Sequence, residues 1–230
     1  MTIYRLFDDP VFPDPEEADP DGLLAVGGDL SQQRLITAYS RGIFPWYAEG
    51  SPILWWSPDP RLVLFPNRLH VPSSLKRTLN SARFSFTLDQ AFRQVIRGCS
   101  RATRPGQDST WILPEMVHAY EALHALGIAH SAEAWLDGKL AGGIYGVALG
   151  GVFFGESMFH AAPDASKALF VTLVRWLGAR GCKLIDCQQT TAHLLRFGAQ
   201  EISRKEFLRQ LADGLDSNTL AGGWNIEGVS

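Results

Sequence analysis

The run from Leu140 to Gly155 constrains this chain more than any other stretch. It holds 16 residues without a charge, and six of them are glycine. A membrane-spanning helix needs about 20 predominantly apolar residues, so the run reads as buried strand. Asp137-Gly138 stands just before it and Gly150-Gly151 within it, both dipeptides that suit tight hairpin turns. Three consecutive strands are therefore expected, at about 128–136, 139–149 and 152–159. Ala165 to Ala179 follows, with Leu169, Phe170, Leu173, Val174 and Leu177 at the spacing of a helix with a wide apolar face. Residues 182–188 then read as a short buried strand.

The flanking sequence is more irregular. Residues 8–22 are rich in Asp, Glu and Pro and read as a loop. Ser31 is a suitable N-cap for a short helix that runs to about Arg41 and stops at Gly42. Four prolines and three tryptophans then fall within the 16 residues 45–60, a packed but irregular stretch. Proline density and charge sign both change near residue 60. That change predicts a small N-terminal α+β domain over 1–60 and a larger domain over 61–230. Within the latter, 73–80 looks helical, and Phe84, Phe86 and Leu88 alternate as in a strand. Asp89 is placed to cap a helix carrying Phe92, Val95 and Ile96. Residues 101–109 form a polar loop, Pro114 opens a helix that ends at Gly127, and Ser203-x-x-Glu206 is a capping box for a last helix.

Charge is unevenly spread. The chain nets −3, but residues 61–104 carry nine basic residues against Asp89 alone. A basic block in an acidic chain is the footprint of a polyanion site or, equally, a solvated helix face. The three cysteines, Cys99, Cys182 and Cys187, are too few and odd in number for a disulfide framework. With no basic-then-apolar leader at the N-terminus, a cytoplasmic protein without a membrane span is expected. No G-x-G-x-x-G, P-loop, nucleophile elbow, H-E-x-x-H or paired C-x-x-C occurs, so neither a nucleotide cofactor nor a metal is expected.

Two carboxylates stand out. Strict alternation along 152–159 places Glu156 on the face of Val152, Phe154 and Met158. Asp186 sits among Leu184, Ile185 and Cys187. A carboxylate among apolar strand residues is costly to bury unless paired, so each marks a polar site in an apolar cleft, a structural ion pair or, for Asp186, a cap of the following helix through Thr190 or Thr191. Cys182 and Cys187 read as core residues. Trp46, Trp55, Trp56 and Trp111 suit a core, or stacking against nucleobases worth about 1–3 kcal/mol per base.

Taken together, several runs are far more specific. Gly22-Leu23-Leu24-Ala25-Val26-Gly27-Gly28-Asp29-Leu30, Arg41-Gly42-Ile43-Phe44-Pro45-Trp46 and Leu54-Trp55-Trp56-Ser57-Pro58-Asp59-Pro60-Arg61 lie in the first part of the chain. Thr110-Trp111-Ile112, Gly142-Gly143-Ile144-Tyr145-Gly146-Val147, Gly155-Glu156-Ser157-Met158-Phe159, Ala165-Ser166-Lys167 and Leu184-Ile185-Asp186-Cys187-Gln188 follow. Over about residues 20–200 the sequence resembles the leucyl/phenylalanyl-tRNA–protein transferase family. The order strand–strand–strand–helix–strand is likewise similar to the core of Gcn5-related acyltransferases, a mixed sheet flanked by helices.

The resemblance implies an aminoacyltransferase that moves Leu or Phe, and potentially Met, from aminoacyl-tRNA to the N-terminal Arg or Lys of acceptor proteins, marking them for degradation. It implies a catalytic group of Glu156, Asp186 and Gln188. It implies an aminoacyl pocket walled by Met158, Phe153, Tyr120, Ile144, Phe170, Leu173 and Ile185. Trp46 and Trp111 would hold the terminal adenosine, and Lys76 and Arg77 would contact the tRNA backbone. No cofactor is implied, and a monomer is expected. Ile144 stands where Met is expected, and Ser73 where a basic residue is common. The alternative on the same core is an acetyl-CoA-dependent N-acetyltransferase. Its Gln/Arg-x-x-Gly-x-Gly/Ala loop would fall at His160-Ala161-Ala162-Pro163-Asp164, which has no glycine.

Overall fold

A computed structural model describes residues 3–102, 110–217, 220 and 223–225. The first 56 residues build a four-stranded sheet from β1 (Tyr4–Leu6), β2 (Leu23–Gly27), β3 (Phe44–Pro45) and β4 (Leu54–Trp56), ordered β1-β2-β4-β3, with helix α1 (Gln32–Ser40) between β2 and β3. Ser31 caps α1 by accepting from the Arg34 amide at 3.4 Å. The chain then enters a second sheet. Its elements are β5 (Arg61–Leu64), α2 (Ser73–Asn80), β6 (Ser85–Leu88), α3 (Phe92–Arg101), α4 (Pro114–Ala125), β7 (Ala129–Leu136), β8 (Lys139–Leu149), β9 (Val152–His160), α5 (Ala165–Ala179), β10 (Leu184–Gln188), α6 (Ala192–Leu195), β11 (Gln200–Ile202) and α7 (Arg204–Leu215).

The order of this seven-stranded sheet is β11-β5-β10-β9-β8-β7-β6. β7, β8 and β9 form the expected antiparallel meander, and the long helix α5 carries the chain across to β10, which pairs parallel with β9. The protein is thus a mixed α+β fold of mixed sheets flanked by helices, with the acyltransferase-like order read from the sequence. Both faces are covered. Leu169, Leu173 and Leu177 of α5 pack with Ile144, Phe153 and Ile185 on one side. Val95, Ile96, Met116 and Tyr120 of α3 and α4 pack with Val147, Val152 and Phe154 on the other. The second cluster continues into Leu24, Leu35, Tyr39 and Trp55, so one buried core joins the two sheets across the chain's passage at residue 60.

Several local expectations are corrected. The strands of the first sheet, β5 and β11 are too short, at 2–5 residues, to show a period in sequence. Asp89 does not cap α3: it adopts φ 55 and accepts from the Ser131 amide at 2.8 Å and pairs with His130. The cap residue is Ala91, whose own N–H goes to buried Glu133. The register of β8 against β9 shifts between Tyr145 and Gly146. The shift seats Gly146 where a Cβ would lie 2.2 Å from the Phe154 carbonyl oxygen. It also adds one residue to β9, so Glu156 stays with Val152 and Phe154 while Met158 turns to the α5 face, against strict alternation.

Candidate active site

β9 and β10 pair at only three positions, ending with Asp186 opposite Phe154. Beyond that point the bulge diverts β9, and β10 shifts register against β5 with Gln188 at φ 62. The strand ends part, and a cavity of about 1070 Å³ opens between them, α5 and the β3–β4 segment.

A line of hydrogen bonds crosses the floor of this cavity. Arg61 donates to Asp186 through Nε at 2.8 Å and Nη2 at 2.7 Å, both side chains being buried. The guanidinium is stacked between the rings of Phe44 and Phe207, 4.8 and 4.4 Å from their centroids. Asp186 Oδ1 also accepts from the Gln188 amide at 2.9 Å, which pins Gln188 in its left-handed conformation. The Gln188 side chain then donates through Nε2 to Glu156 Oε1 at 2.8 Å. Tyr120 donates to Glu156 Oε2 at 3.0 Å, and the Tyr120 hydroxyl is itself bonded to that of Tyr39.

Burial pushes the Glu156 carboxyl up to about 7, with hydrogen bonds from Tyr39, Tyr120 and Gln188 opposing and the Asp186 charge adding to the rise. Glu156 therefore titrates near neutrality, with no cation among the causes to draw its carboxyl back down. Tyr39 and Tyr120 are held well above the ordinary phenol range, mainly by burial and then by the Glu156 charge. They act as donors and not as phenolates. The Cys182 thiol is pushed up to about 12 by burial, and that of Cys187 higher still. Neither is an available thiolate; Cys182 is a core residue as expected, whereas Cys187 is half-buried and lines the cavity. Among the described residues no cluster of His, Cys, Asp and Glu is arranged to hold a metal. The arrangement offers a fixed amide and a titrating carboxylate beside an apolar cavity.

The family model for leucyl/phenylalanyl-tRNA protein transferase matches residues 63–212, and the model of that family's N-terminal domain matches residues 28–59. The chain belongs to this family. A curated leucyl/phenylalanyl-tRNA–protein transferase from Anaeromyxobacter sp. strain Fw109-5 is 61% identical over 227 residues, covering 99% of this chain and 97% of its own. One from Oleidesulfovibrio alaskensis is 58% identical over 231 residues, covering 98% and 93%. A solved GCN5-related N-acetyltransferase from Kribbella flavida aligns with a TM-score of 0.39 and 11% identity over 78% of this chain and 63% of its own. At that score the fold assignment rests on the strand order described above.

With the family established, each residue expected from the sequence has a place. Glu156, Asp186 and Gln188 come together on the cavity floor, and Ile144, Phe153, Met158, Phe170, Leu173 and Ile185 line its wall. Trp46 and Trp111 line it as well. Tyr120 does not: it is fully buried on α4, against the sheet face opposite α5, and meets the site by donating to Glu156, which reaches the cavity from that face. Lys76 and Arg77 are exposed on α2, outside the cavity. The basic block is not one surface, since Arg61 is buried against Asp186 and Arg93 pairs with Glu121 at 2.9 Å, while Arg104 lies outside the described residues. The helix after Gln188 is capped by Thr191, so Asp186 is not its cap.

Sequence reasoning missed Arg61 and Tyr39. Arg61 opens the run Arg61-Leu62-Val63-Leu64, and an arginine leading an otherwise apolar strand is a signal of burial with a partner. Tyr39 gave no such signal, being one apolar position of a short helix.

Proposed function

We propose that the chain transfers Leu or Phe, with Met as a further donor, from aminoacyl-tRNA to the N-terminal Arg or Lys of acceptor proteins, marking them for degradation. The observation that carries the reading is the polar line of Arg61, Asp186, Gln188 and Glu156 on the floor of an apolar cavity. An ester to tRNA is already activated, so aminolysis needs orientation and charge stabilisation more than a covalent nucleophile. The acceptor amine attacks the ester carbonyl carbon. A C–N bond forms, the C–O bond to the ribose breaks, and the ribose oxygen leaves with a proton while the amine loses one.

Gln188 Nε2 is committed to Glu156, and among the described residues Gln188 Oε1 has no partner. That carbonyl oxygen is placed to accept a hydrogen bond from the amine and orient its lone pair. A neutral amide does not titrate near neutral pH, so Gln188 positions the amine and is no base. Arg61 offsets the Asp186 charge, so attraction for a cationic acceptor falls to ionised Glu156. The apolar wall suits an unbranched aliphatic or aromatic aminoacyl group. Trp46 and Trp111 suit stacking on the terminal adenosine, and Lys76 and Arg77 suit contact with tRNA phosphates. The chain acts as a monomer in this reading.

Incubation with Leu-, Phe- and Met-charged tRNA and a peptide starting with Arg, scored by mass, tests it. An aminoacyl increment on the peptide is expected. An acetyl increment from acetyl-CoA, with none from any charged tRNA, would replace this reading with the acetyltransferase one.

A further inference from the structure

Ala165-Ser166-Lys167 has a part in neither the polar line nor the apolar wall. It forms the first turn of α5, a helix of 15 residues whose start is uncapped by any side chain. Asp164, the cap residue, adopts φ 66, and its Oδ1 accepts from Lys167 Nζ at 2.7 Å instead of from the backbone. Uncapped helix starts leave backbone N–H groups without acceptors and carry a positive end charge. Ser166 is 7% exposed, lines the cavity and shares its helix face with Phe170 and Val174, which also line it. Among the described residues its hydroxyl has no hydrogen-bond partner. A cavity-facing hydroxyl on an otherwise buried residue, beside an uncapped helix start, is a set of donors open to an acceptor in the cavity.

The surroundings give that acceptor a sign. Lys167, His160 and His193 line the cavity, and the first two stand close enough to His193 to act on it. Arg196 adds a fourth basic group close enough to act on His193. Burial and the charges of Lys167, Arg196 and His160 hold the His193 imidazole below its usual value. A cationic acceptor residue is repelled here and drawn instead to Glu156.

We propose that the start of α5 is a phosphodiester subsite, in which the N–H groups of Ser166 and Lys167, the Ser166 hydroxyl and the Lys167 ammonium hold a phosphate of the RNA 3′ end. The proposal rests on the transferase reading and deepens it. The cavity then sorts its two polar substrates by charge, phosphate at the α5 start and cationic acceptor at Glu156. Asp164, half exposed beside Lys167, positions the ammonium and is the local negative charge the phosphate must tolerate.

The test uses the full chain, an Arg-initiated peptide and two donors that carry Phe. One is phenylalanyl-adenosine, without phosphate; the other is phenylalanyl cytidylyl-cytidylyl-adenosine, with internucleotide phosphates. The readout is the ratio of kcat/KM for the second donor to that for the first. Ser166→Ala and Lys167→Ala should each lower this ratio about tenfold, through KM, for one lost hydrogen bond to a charged group. Lys167→Ala should also flatten the dependence of log KM on log salt for the trinucleotide donor by about 0.7. An unchanged ratio, or a parallel loss for both donors, overturns the subsite and leaves the transferase reading standing. Absence of transfer from both donors by the unmodified protein overturns the transferase reading and the subsite with it.

Discussion

Arg61→Met removes the guanidinium and keeps much of the side-chain volume between Phe44 and Phe207. Asp186 is then left fully buried, with the Gln188 amide as its remaining hydrogen-bond donor. The magnitude follows from the geometry. Two charge-assisted bonds, at 2.8 and 2.7 Å, are lost from side chains 1% and 0% exposed, each worth about 1.5–3 kcal/mol. Breaking one side of a buried pair costs about 3–5 kcal/mol overall, because the surviving charge stays desolvated. For a chain of 230 residues, each kcal/mol moves Tm by about 2–4 °C, so a fall of about 10 °C is expected. The second arm is the double variant Arg61→Met, Asp186→Leu, which removes the stranded charge. It should recover most of the lost stability and none of the transfer rate, since Gln188 then has no carboxylate to hold its backbone. Thermal unfolding by circular dichroism, with transfer measured on the same samples, reads both arms. A single variant as stable as the unmodified protein, or a double variant that transfers at the normal rate, would refute the role given to this pair.

Two further outcomes concern the substrates. Lys76→Ala combined with Arg77→Ala should weaken tRNA binding and reduce its salt slope by roughly one unit per lost phosphate contact; a slope that does not move puts the backbone contact elsewhere. Val- and Ile-charged tRNA should be poor donors beside Leu, since one misplaced methyl group in an apolar pocket is worth about 1–3 kcal/mol, and equal transfer of Val and Leu would contradict the pocket wall of Met158, Phe170 and Leu173.

The sequence made some of this legible and hid the rest for physical reasons. The β7–β8–β9 meander and α5 were readable because glycine turns and 3.6-residue spacing leave a local imprint. Glu156 and Asp186 were readable because carboxylates in apolar strands are exceptional. Arg61 was concealed by its place in a basic run: a charge count is one-dimensional, and only the pairing of β5 with β10 carries that residue to Asp186. Strict alternation puts Met158 on the wrong face because a β-bulge changes the parity of every later residue without any marker of its own. The bulge has a sequence correlate in Gly146, whose missing Cβ it requires, but several glycines stand in the same run and only the register distinguishes this one. Tyr120 is expected in the pocket wall only by resemblance to the family, and no strand alternation bears on it. Its helix covers the opposite face of the sheet, and it reaches the site through Glu156.

Glu156 links that site to pH, and here rate and stability can be separated. Its carboxyl titrates at about 7 instead of 4.5, while a free acceptor α-amine titrates near 7.7–8.0. Transfer at saturating charged tRNA should therefore rise through two ionisations between about pH 6 and 8. One belongs to the protein and is fixed; the other belongs to the acceptor and moves with the amine's own pKa. Glu156→Gln removes the first, so its slower profile should show a single ionisation that follows the acceptor. The stability argument has a definite sign. Between about pH 4.5 and 7 the native state keeps a proton on Glu156 that the unfolded chain has released, so stability falls as pH rises through that window. A shift from 4.5 to about 7 corresponds to about 3 kcal/mol, fully lost above the upper value. Glu156→Gln should lack this slope, which makes its stability relative to the unmodified protein improve steadily from acid to neutral pH. Denaturant unfolding across the range measures it. If the difference between the two proteins is flat, the buried carboxylate does not titrate there. If Glu156→Gln keeps an ionisation near 7 that ignores the acceptor, another group of the cavity sets the rate.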